Sequence, residues 1–351
     1  MRHAAIACVV LAGILGGCGG STSPAPGQAG RYGETRTFQA VDRFEITEMP
    51  PVAKGMRAWF ELPLENEPAQ RISDLKIESS LPYQVTQEPG TGNRFLYLEV
   101  PPTAPLPVVV TVSFKNTRRE ISGTNGEVYH EEELRHYVEE DPFVIVNPQI
   151  REMAAKAVEG KAALDEKAKA LYDVVMGYME YWVKDKESLK ASGKGLTTWA
   201  LEKKTGNCTE FHALYGSCCK ALGIPSRTVF GSMYRKGLDG KNEDQSYHCW
   251  LEYWDPQQGW VPIDVAFGDL FEKPGDFARG NAELFGIPND KDYYFQKIDA
   301  RRVTFSRGRN VNLVPKQHGD PLPFFVKGYV EADGKEHKGW TRTLTYHEVK
   351  G

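Results

Sequence analysis

A chain of 351 residues is long enough to form two domains of ordinary size. Its 43 lysines and arginines nearly balance 47 aspartates and glutamates, so the composition indicates neither a nucleic-acid partner nor a broad cationic membrane surface. Beyond the N-terminal segment, no apolar stretch is long enough to span a bilayer.

The N-terminal segment has the features of an export signal. Arg2 and His3 precede an apolar run from Ala4 to Leu15, which is short for a transmembrane helix and typical of a signal peptide. The run ends in Leu-Gly-Gly-Cys18, which resembles the bacterial lipobox, where cleavage before the cysteine is followed by its lipidation. We therefore predict a lipoprotein signal peptide over residues 1–17 and a lipid on Cys18.

The segment that follows Cys18 is predicted to be a flexible tether over residues 18–35, because it is rich in Gly, Ser and Pro and has no apolar period. This arrangement predicts a lipid-anchored protein of the bacterial cell envelope. In a bacterium with two membranes, Gly19 favours the outer membrane, facing the periplasm. A simple secretory signal that is cut elsewhere is the alternative.

Residues 36–146 are predicted to form a β-sandwich. Short runs of alternating apolar residues, such as 56–62, 94–100 and 108–114, are separated by turns rich in Pro, Gly and Asn. Residues 147–351 are predicted to form a second domain that is α+β and includes the strand-like runs near the C-terminus. Its first long helix is indicated by a stripe at helical spacing: Leu164, Ala168, Leu171, Val175, Tyr178 and Trp182.

The most informative stretch starts at Gly206. A second helix is predicted to start near Cys208 and to end at Gly223, and strands are predicted over residues 227–232, 247–254 and 260–265. A helix N-terminus stabilises a thiolate, and its free N–H groups can bind an oxyanion. If Trp254 and Trp260 are opposite each other in the hairpin, His248 lies diagonally beside Asp264. Cys208, His248 and Asp264 are then arranged as nucleophile, base and orienting acid.

At this point the sequence resembles bacterial transglutaminase-like proteins. The resemblance is carried by the run from Gly206 to His212, by Gly-Ile-Pro-Ser-Arg227, by His-Cys-Trp-Leu-Glu252 and by Gly-Trp-Val-Pro-Ile-Asp264. It implies a papain-like α+β core, in which a helix bearing the cysteine packs on an antiparallel sheet. It also implies a catalytic triad of Cys208, His248 and Asp264. Val265 follows the aspartate where the wider superfamily commonly has proline.

Other candidate sites have ordinary structural interpretations beside the functional ones. His212 is interpreted as a positioning or packing residue with an alternative role as base, and Trp199 is a candidate oxyanion donor that could instead only pack. The cysteines and histidines match no common zinc spacing. Cys218 or Cys219 could form a disulfide with Cys249, and buried free thiols are equally compatible with the sequence.

Two charged clusters are interpreted as structural. The acidic loop lacks the ligand spacing of a calcium loop, and the arginine cluster is expected to pair with carboxylates. Their members are Asp239, Asn242, Glu243 and Asp244 in the loop, and Arg301, Arg302, Arg307 and Arg309 in the cluster.

The resulting hypothesis is a thiol acyl-transfer enzyme that acts on an amide or peptide carbonyl of a protein or peptide substrate. Hydrolysis is favoured over amine crosslinking. The predicted chemistry requires no cofactor or metal, and membrane contact is expected through the lipid anchor alone. The alternatives are a non-catalytic envelope binding module that retains the fold, and a metal-binding or redox protein that uses the cysteines.

Overall fold

The computed structural model describes residues 33–350, except 52, 66, 125–130 and 243–246. The predicted signal peptide, Cys18 and all but the end of the tether lie outside the described residues. Among the helices that are described, none combines the length and apolar character needed to cross a membrane.

Two antiparallel sheets form a sandwich. The strands are β1 (Thr35–Ile46), β2 (Met56–Glu61), β3 (Gln70–Ser79), β4 (Gln84–Gln87), β5 (Arg94–Val100), β6 (Val108–Arg119), β7 (Ile121–Ser122), β8 (Glu180–Tyr181), β9 (Thr205–Gly206), β10 (Ser226–Met233), β11 (Tyr247–Asp255), β12 (Gly259–Ile263), β13 (Lys297–Ile298), β14 (Arg302–Arg307), β15 (Gly328–Ala332), β16 (Lys335–Glu336) and β17 (Trp340–Val349). One sheet of the sandwich has the order β17-β1-β6-β3, and the other has the order β16-β15-β2-β5-β4.

The sandwich closes because each inner face is apolar. Strand β6 alternates strictly between buried and half-buried residues, as expected for a strand with one face on a core. Phe44 from one sheet stacks on Phe60 from the other, with ring centroids 4.3 Å apart. The predicted β-sandwich is therefore present.

The C-terminal strands belong to this sandwich and not to the second domain. Strand β17 pairs with β1 from Thr37↔Val349 to Ile46↔Trp340, and β15 pairs with β2. The sequence analysis placed these strands with residues 147–351, and the observed pairing corrects that boundary. Alternation along a strand shows which side chains face a core, but it does not show which strand lies beside it.

The second domain is built around a buried helix on an antiparallel sheet of order β12-β11-β10-β14. The helices are α1 (Glu131–Leu134), α2 (Pro148–Ala157), α3 (Leu164–Tyr178), α4 (Thr197–Lys203), α5 (Cys208–Ala221), α6 (Val265–Leu270) and α7 (Asp276–Phe285). Helix α5 is buried from Cys208 to Cys219 and packs against β10, β11 and helices α2, α3, α4 and α6. This confirms the predicted α+β fold class.

The local patterns near the site gave accurate element bounds. The predicted apolar stripe corresponds to α3 as far as Tyr178, whereas its last member, Trp182, lies beyond the end of that helix. The cysteine helix starts at Cys208 and ends just before Gly223, whose φ is +69°. Gly223 is in the left-handed region that glycine adopts without strain, so it ends the helix as predicted.

A bulge in β10 brings the backbone of β14 close to Gly231 in the second domain. The pairing register of β10 with β14 changes between Phe230 and Gly231. On the other side of β10, Gly231 is directly opposite His248 of β11. A Cβ added at Gly231 would lie 1.8 Å from the carbonyl oxygen of Val303, so this approach requires glycine. The start of β14 is thereby held beside the candidate site.

Candidate active site

The turn before Cys208 is held by a capping arrangement. The side chain of Asn207 accepts a hydrogen bond from the N–H of Thr209 at 2.8 Å, and Glu210 accepts from the N–H of Asn207 at 2.8 Å. Glu210 also accepts from Gly195 at 2.9 Å. A Cβ at Gly206 would lie 2.4 Å from Cβ of Glu210, so the close approach needs glycine there. The thiol of Cys208 is thus positioned at the first turn of α5.

The hairpin has the register that the sequence predicts. Trp254 is opposite Trp260, and Leu251 is opposite Ile263. Asp264 follows β12 directly, and His248 Nε2 lies 2.7 Å from Oδ2 of Asp264. His248 also stacks on Phe267, with ring centroids 4.3 Å apart. The stacking on Phe267 therefore fixes the plane of the imidazole ring, and the hydrogen bond to Asp264 fixes its rotation within that plane.

The thiol of Cys208 meets the other nitrogen of the same imidazole. Cys208 and His248 are hydrogen-bonded to each other, and because Nε2 faces Asp264, the nitrogen left for the thiol is Nδ1. Cys208 and His248 are each 3% exposed. The structure therefore brings together all three predicted residues in the order thiol, imidazole, carboxylate.

The electrostatics of the thiol and the imidazole favour a charged pair. Burial alone would raise the pKa of Cys208, but hydrogen bonds from Cys249 and His248 and the charge of His248 lower it to about 6. Burial would lower the pKa of His248, but the Asp264 carboxylate and hydrogen bonds to Asp264 and Cys208 raise it to about 9. Thiolate and imidazolium therefore coexist between these two values.

Asp264 is completely buried and has a partner for each oxygen. It caps α6 by accepting from the N–H of Phe267 at 3.1 Å with Oδ1, while Nη1 of Arg302 donates to Oδ2 at 2.7 Å. Burial would raise the pKa of Asp264, but the charges of His248 and Arg302 hold it well below its usual range. The carboxylate thus stays ionised beside the imidazole.

His212 lies on the same helix as Cys208 and one turn later. Its Nδ1 is 3.3 Å from the sulfur of Cys249, and its Nε2 is 3.7 Å from Oδ1 of Asp264. Burial lowers the pKa of His212 to about 3, in spite of the nearby Asp264. His212 is therefore neutral and contacts Cys249 and Asp264, which is compatible with a packing or positioning role.

Three described cysteines outside the triad, Cys218, Cys219 and Cys249, are free thiols. Of the residues that the structure describes, Cys208, Cys218, Cys219 and Cys249 are buried and form no disulfide, which answers the question that the sequence left open. Burial raises the pKa of Cys218 to about 12. Within the same described ranges, no group of three or more His, Cys, Asp or Glu residues is placed to hold a metal ion.

Trp199 does not serve as the oxyanion donor suggested from the sequence. Its indole N–H donates to the carbonyl of Thr205 at 3.1 Å. Because the indole N–H is already bonded to the backbone that leads into the turn before Cys208, Trp199 supports that turn structurally.

The described members of the charged clusters make structural contacts, although Arg309 bonds backbone carbonyls in place of the predicted carboxylate. In the acidic loop, Asp239 accepts from the N–H of Glu348, and Asn242 accepts from the N–H of Leu344, which ties the loop to β17. Glu243 and Asp244 lie outside the described residues. In the arginine cluster, Arg301 pairs with Glu348 at 2.7 Å. Arg309 donates instead to the carbonyls of Lys194 and Gly195.

Two residues of the site were not singled out from the sequence. Glu210 was readable as the fourth position of a capping box that starts at Asn207. Arg302 was noted only as a member of a basic cluster, and its bond to Asp264 had no sequence signal, because the two residues are 38 positions apart and no turn joins the segments that carry them.

Comparison with known proteins is consistent with this architecture. Residues 151–265 match the family model of the transglutaminase-like superfamily core. An uncharacterised protein of Haemophilus influenzae is 22% identical over 93% of this chain and 94% of its own length. A protein-glutamine gamma-glutamyltransferase of Pseudomonas aeruginosa is 30% identical over 21% of this chain and 12% of that protein. A solved structure of a candidate cysteine protease from Cytophaga hutchinsonii is similar to this chain, with a TM-score of 0.57 and 13% sequence identity. The similarity covers 91% of this chain and 93% of that structure's chain.

The fold and the core match define the class of protein. A helix bearing a cysteine on an antiparallel sheet, next to a sandwich, is the fold shared with the Cytophaga hutchinsonii structure. Residues 151–265 match the transglutaminase-like superfamily core, and the chain as a whole shares its fold with the Cytophaga hutchinsonii structure.

Proposed function

We propose that this chain is a thiol acyl-transfer enzyme that attacks an amide or peptide carbonyl of a protein or peptide through Cys208, His248 and Asp264. The observation that carries the proposal is the continuous row of hydrogen bonds from the thiol through the imidazole to a carboxylate. The row is buried at the N-terminus of a helix, where a thiolate is stabilised.

The reaction would proceed through a thioester on Cys208. The thiolate attacks the carbonyl carbon and forms a C–S bond, and the oxyanion is bound by N–H groups at the start of α5. The imidazolium of His248 gives its Nδ1 proton to the leaving nitrogen as the C–N bond breaks. Asp264 holds the ring orientation throughout.

The second half of the reaction decides between two products. Water attacks the thioester with His248 as base and releases an acid, which makes the enzyme a peptidase or amidase. A primary amine that attacks in place of water forms a crosslink. We favour hydrolysis because water is the abundant acceptor in the dilute compartment that we propose for this chain.

The test is a paired assay on the purified chain with casein as substrate. One reaction follows new amino termini, and a second follows incorporation of a fluorescent primary amine. We expect activity in the wild type and loss of both signals in Cys208→Ala. New amino termini in excess of amine incorporation support hydrolysis, and the reverse supports crosslinking.

Cys218→Ala is the matched control, because Cys218 is a buried thiol on the same helix whose pKa burial raises to about 12. We expect this variant to retain activity. Alkylation of the wild-type Cys208 by iodoacetamide with the pH dependence of an ordinary thiol, together with no turnover, would contradict the proposal. That result would favour the non-catalytic binding module.

We also propose that the chain is exported and anchored to the cell envelope by a lipid on Cys18. The support is the lipobox-like run and the uncharged tether that follows it. Palmitate labelling in cells should mark the wild type and not Cys18→Ala. Equal labelling of both, or labelling of neither, contradicts the lipid anchor.

A further inference from the structure

Arg302 joins the candidate triad through its carboxylate. Nη1 of Arg302 donates to Oδ2 of Asp264 at 2.7 Å, which is the same oxygen that faces His248 Nε2. We propose that Arg302 is a positioning residue for acyl transfer: it holds Asp264 in the orientation that aligns His248, and it keeps the imidazolium able to release its proton to the leaving nitrogen. This inference rests on the proposed function.

The geometry makes the arrangement rigid. Nε of Arg302 is 2.9 Å and Nη2 is 2.8 Å from Oδ2 of Asp299, so the guanidinium is held between two carboxylates. The rings of Trp250 and Phe267 flank it, with their centroids 5.1 and 5.2 Å from its central carbon. A planar guanidinium with charge-assisted bonds on two sides has little freedom to turn. Asp264 is therefore held by an element other than its own hairpin.

The position of Arg302 depends on the sandwich as well as the core. Arg302 is the first residue of β14 and is opposite Met233 of β10. Its carbonyl accepts a hydrogen bond from Nδ2 of Asn116 at 3.0 Å, and Asn116 belongs to β6 of the sandwich. The strand that carries Arg302 is thus fixed from both domains.

The charges around Asp264 decide the direction of the effect. His248 from β11, His212 from α5 and Arg302 from β14 act directly on Asp264, and Asp299 lies behind Arg302. The thiol of Cys249 and the hydroxyls of Tyr172, Tyr181 and Tyr294 also interact electrostatically with Asp264. His212 is neutral, so Arg302 is the permanent positive charge that offsets Asp264. Without it, the uncompensated carboxylate would bind the imidazolium proton more tightly.

The experiment measures the two titrations separately in the full chain. Ultraviolet absorbance reports the thiolate of Cys208, and NMR of the imidazole nitrogens reports the protonation of His248. In Arg302→Met we expect the His248 titration to move up by about one pH unit, because a neighbouring charge shifts a pKa by about one to three units. The thiolate titration should move up as well. Arg302→Lys, which keeps the charge, should leave both near their wild-type positions.

Two further variants protect the test against misfolding. Arg302→Met combined with Asp299→Asn removes the second carboxylate that would otherwise be left uncompensated, and the asparagine can still accept the N–H of Arg301. Arg227→Met is the matched control, since Arg227 is a buried arginine of the same sheet that pairs with Glu252 at 2.7 Å. We expect Arg227→Met to lower stability without moving either titration.

The outcomes separate the two proposals. An upward shift in both variants that lack Arg302, with no shift in Arg227→Met, supports the positioning role. If the wild-type thiolate titrates at low pH, but the His248 titration stays the same or falls in the variants that lack Arg302, the role of Arg302 is overturned and the acyl-transfer proposal stands. A wild type whose Cys208 titrates like an ordinary thiol overturns both this inference and the acyl-transfer proposal.

Discussion

Two buried arginines in this molecule each lie between two carboxylates, and they contribute in different ways. Arg302 in the second domain bonds Asp264 and Asp299, and Arg342 in the sandwich bonds Asp42 and Glu61. Both guanidinium groups are almost completely removed from solvent. In burial and in the number of carboxylates that each arginine contacts, the two clusters are alike.

The difference lies in what the carboxylates contact next. Arg342 comes from β17, Asp42 from β1 and Glu61 from β2, so this cluster joins the two sheets of the sandwich. Asp264 also faces an imidazole whose pKa is raised to about 9 and which meets a thiol. A buried ion pair alone is weak evidence for function. A third partner whose pKa is strongly shifted, and which contacts a thiol, is the feature that indicates chemistry.

The largest difference between the two clusters is expected when one carboxylate in each is neutralised. Asp264→Asn should lower kcat/KM by about 10⁴-fold, because the amide stabilises the wrong imidazole tautomer and cannot stabilise the imidazolium. Asn still caps a helix well, so α6 should remain. Asp42→Asn should leave kcat/KM unchanged for the folded fraction. Steady-state kinetics of the two variants would contradict the comparison if both lost activity equally.

The reverse asymmetry is expected for stability. Arg342→Met leaves Asp42 and Glu61 buried without their guanidinium, so the free energy of unfolding should fall by about 3–5 kcal/mol. Burial already raises the pKa of Glu61 well above its usual range in spite of Arg342. Urea unfolding measures the loss. The Cys208 and His248 titrations should not move in this variant, and a shift would mean that the sandwich cluster acts on the site.

The pH dependence of kcat/KM tests whether the cluster around Asp264 supports a charged pair of thiolate and imidazolium. The pKa of Cys208 is lowered to about 6, so the thiolate is lost as pH falls below that value. The pKa of His248 is raised to about 9, so the imidazolium is lost as pH rises above that value. The profile should therefore be a bell with limbs near these values and about tenfold loss per unit beyond them. A single limb near the ordinary thiol pKa would be incompatible with the charged pair.

The smallest effect is expected outside both clusters, at Trp199. Because its N–H is held by the carbonyl of Thr205, Trp199→Phe should change kcat/KM by less than about threefold. Loss of a true oxyanion donor costs about 10²–10³-fold in kcat. Kinetics at pH 7 distinguish the two cases, and a loss in the larger range would restore Trp199 as a donor.

Much of the candidate site could be predicted because it is built from local elements. The helix start at Cys208 follows from its capping residues and from Gly223 at its end. The pairing of His248 with Asp264 follows from a hairpin whose short turn sets its register. In each case the interacting residues are close in sequence or lie on adjacent strands joined by a turn.

The sequence by itself thus determined the fold class, the helix that carries the thiol and the hairpin that carries the imidazole and the carboxylate. The tertiary structure alone decided that β17 completes the sandwich and that Arg302 reaches Asp264. The physical reason is that periodicity and turn chemistry are local, whereas the partner of a strand or of a buried charge is chosen by packing between segments far apart in the chain. Neither Val349 beside Thr37 nor Arg302 beside Asp264 has a local signal.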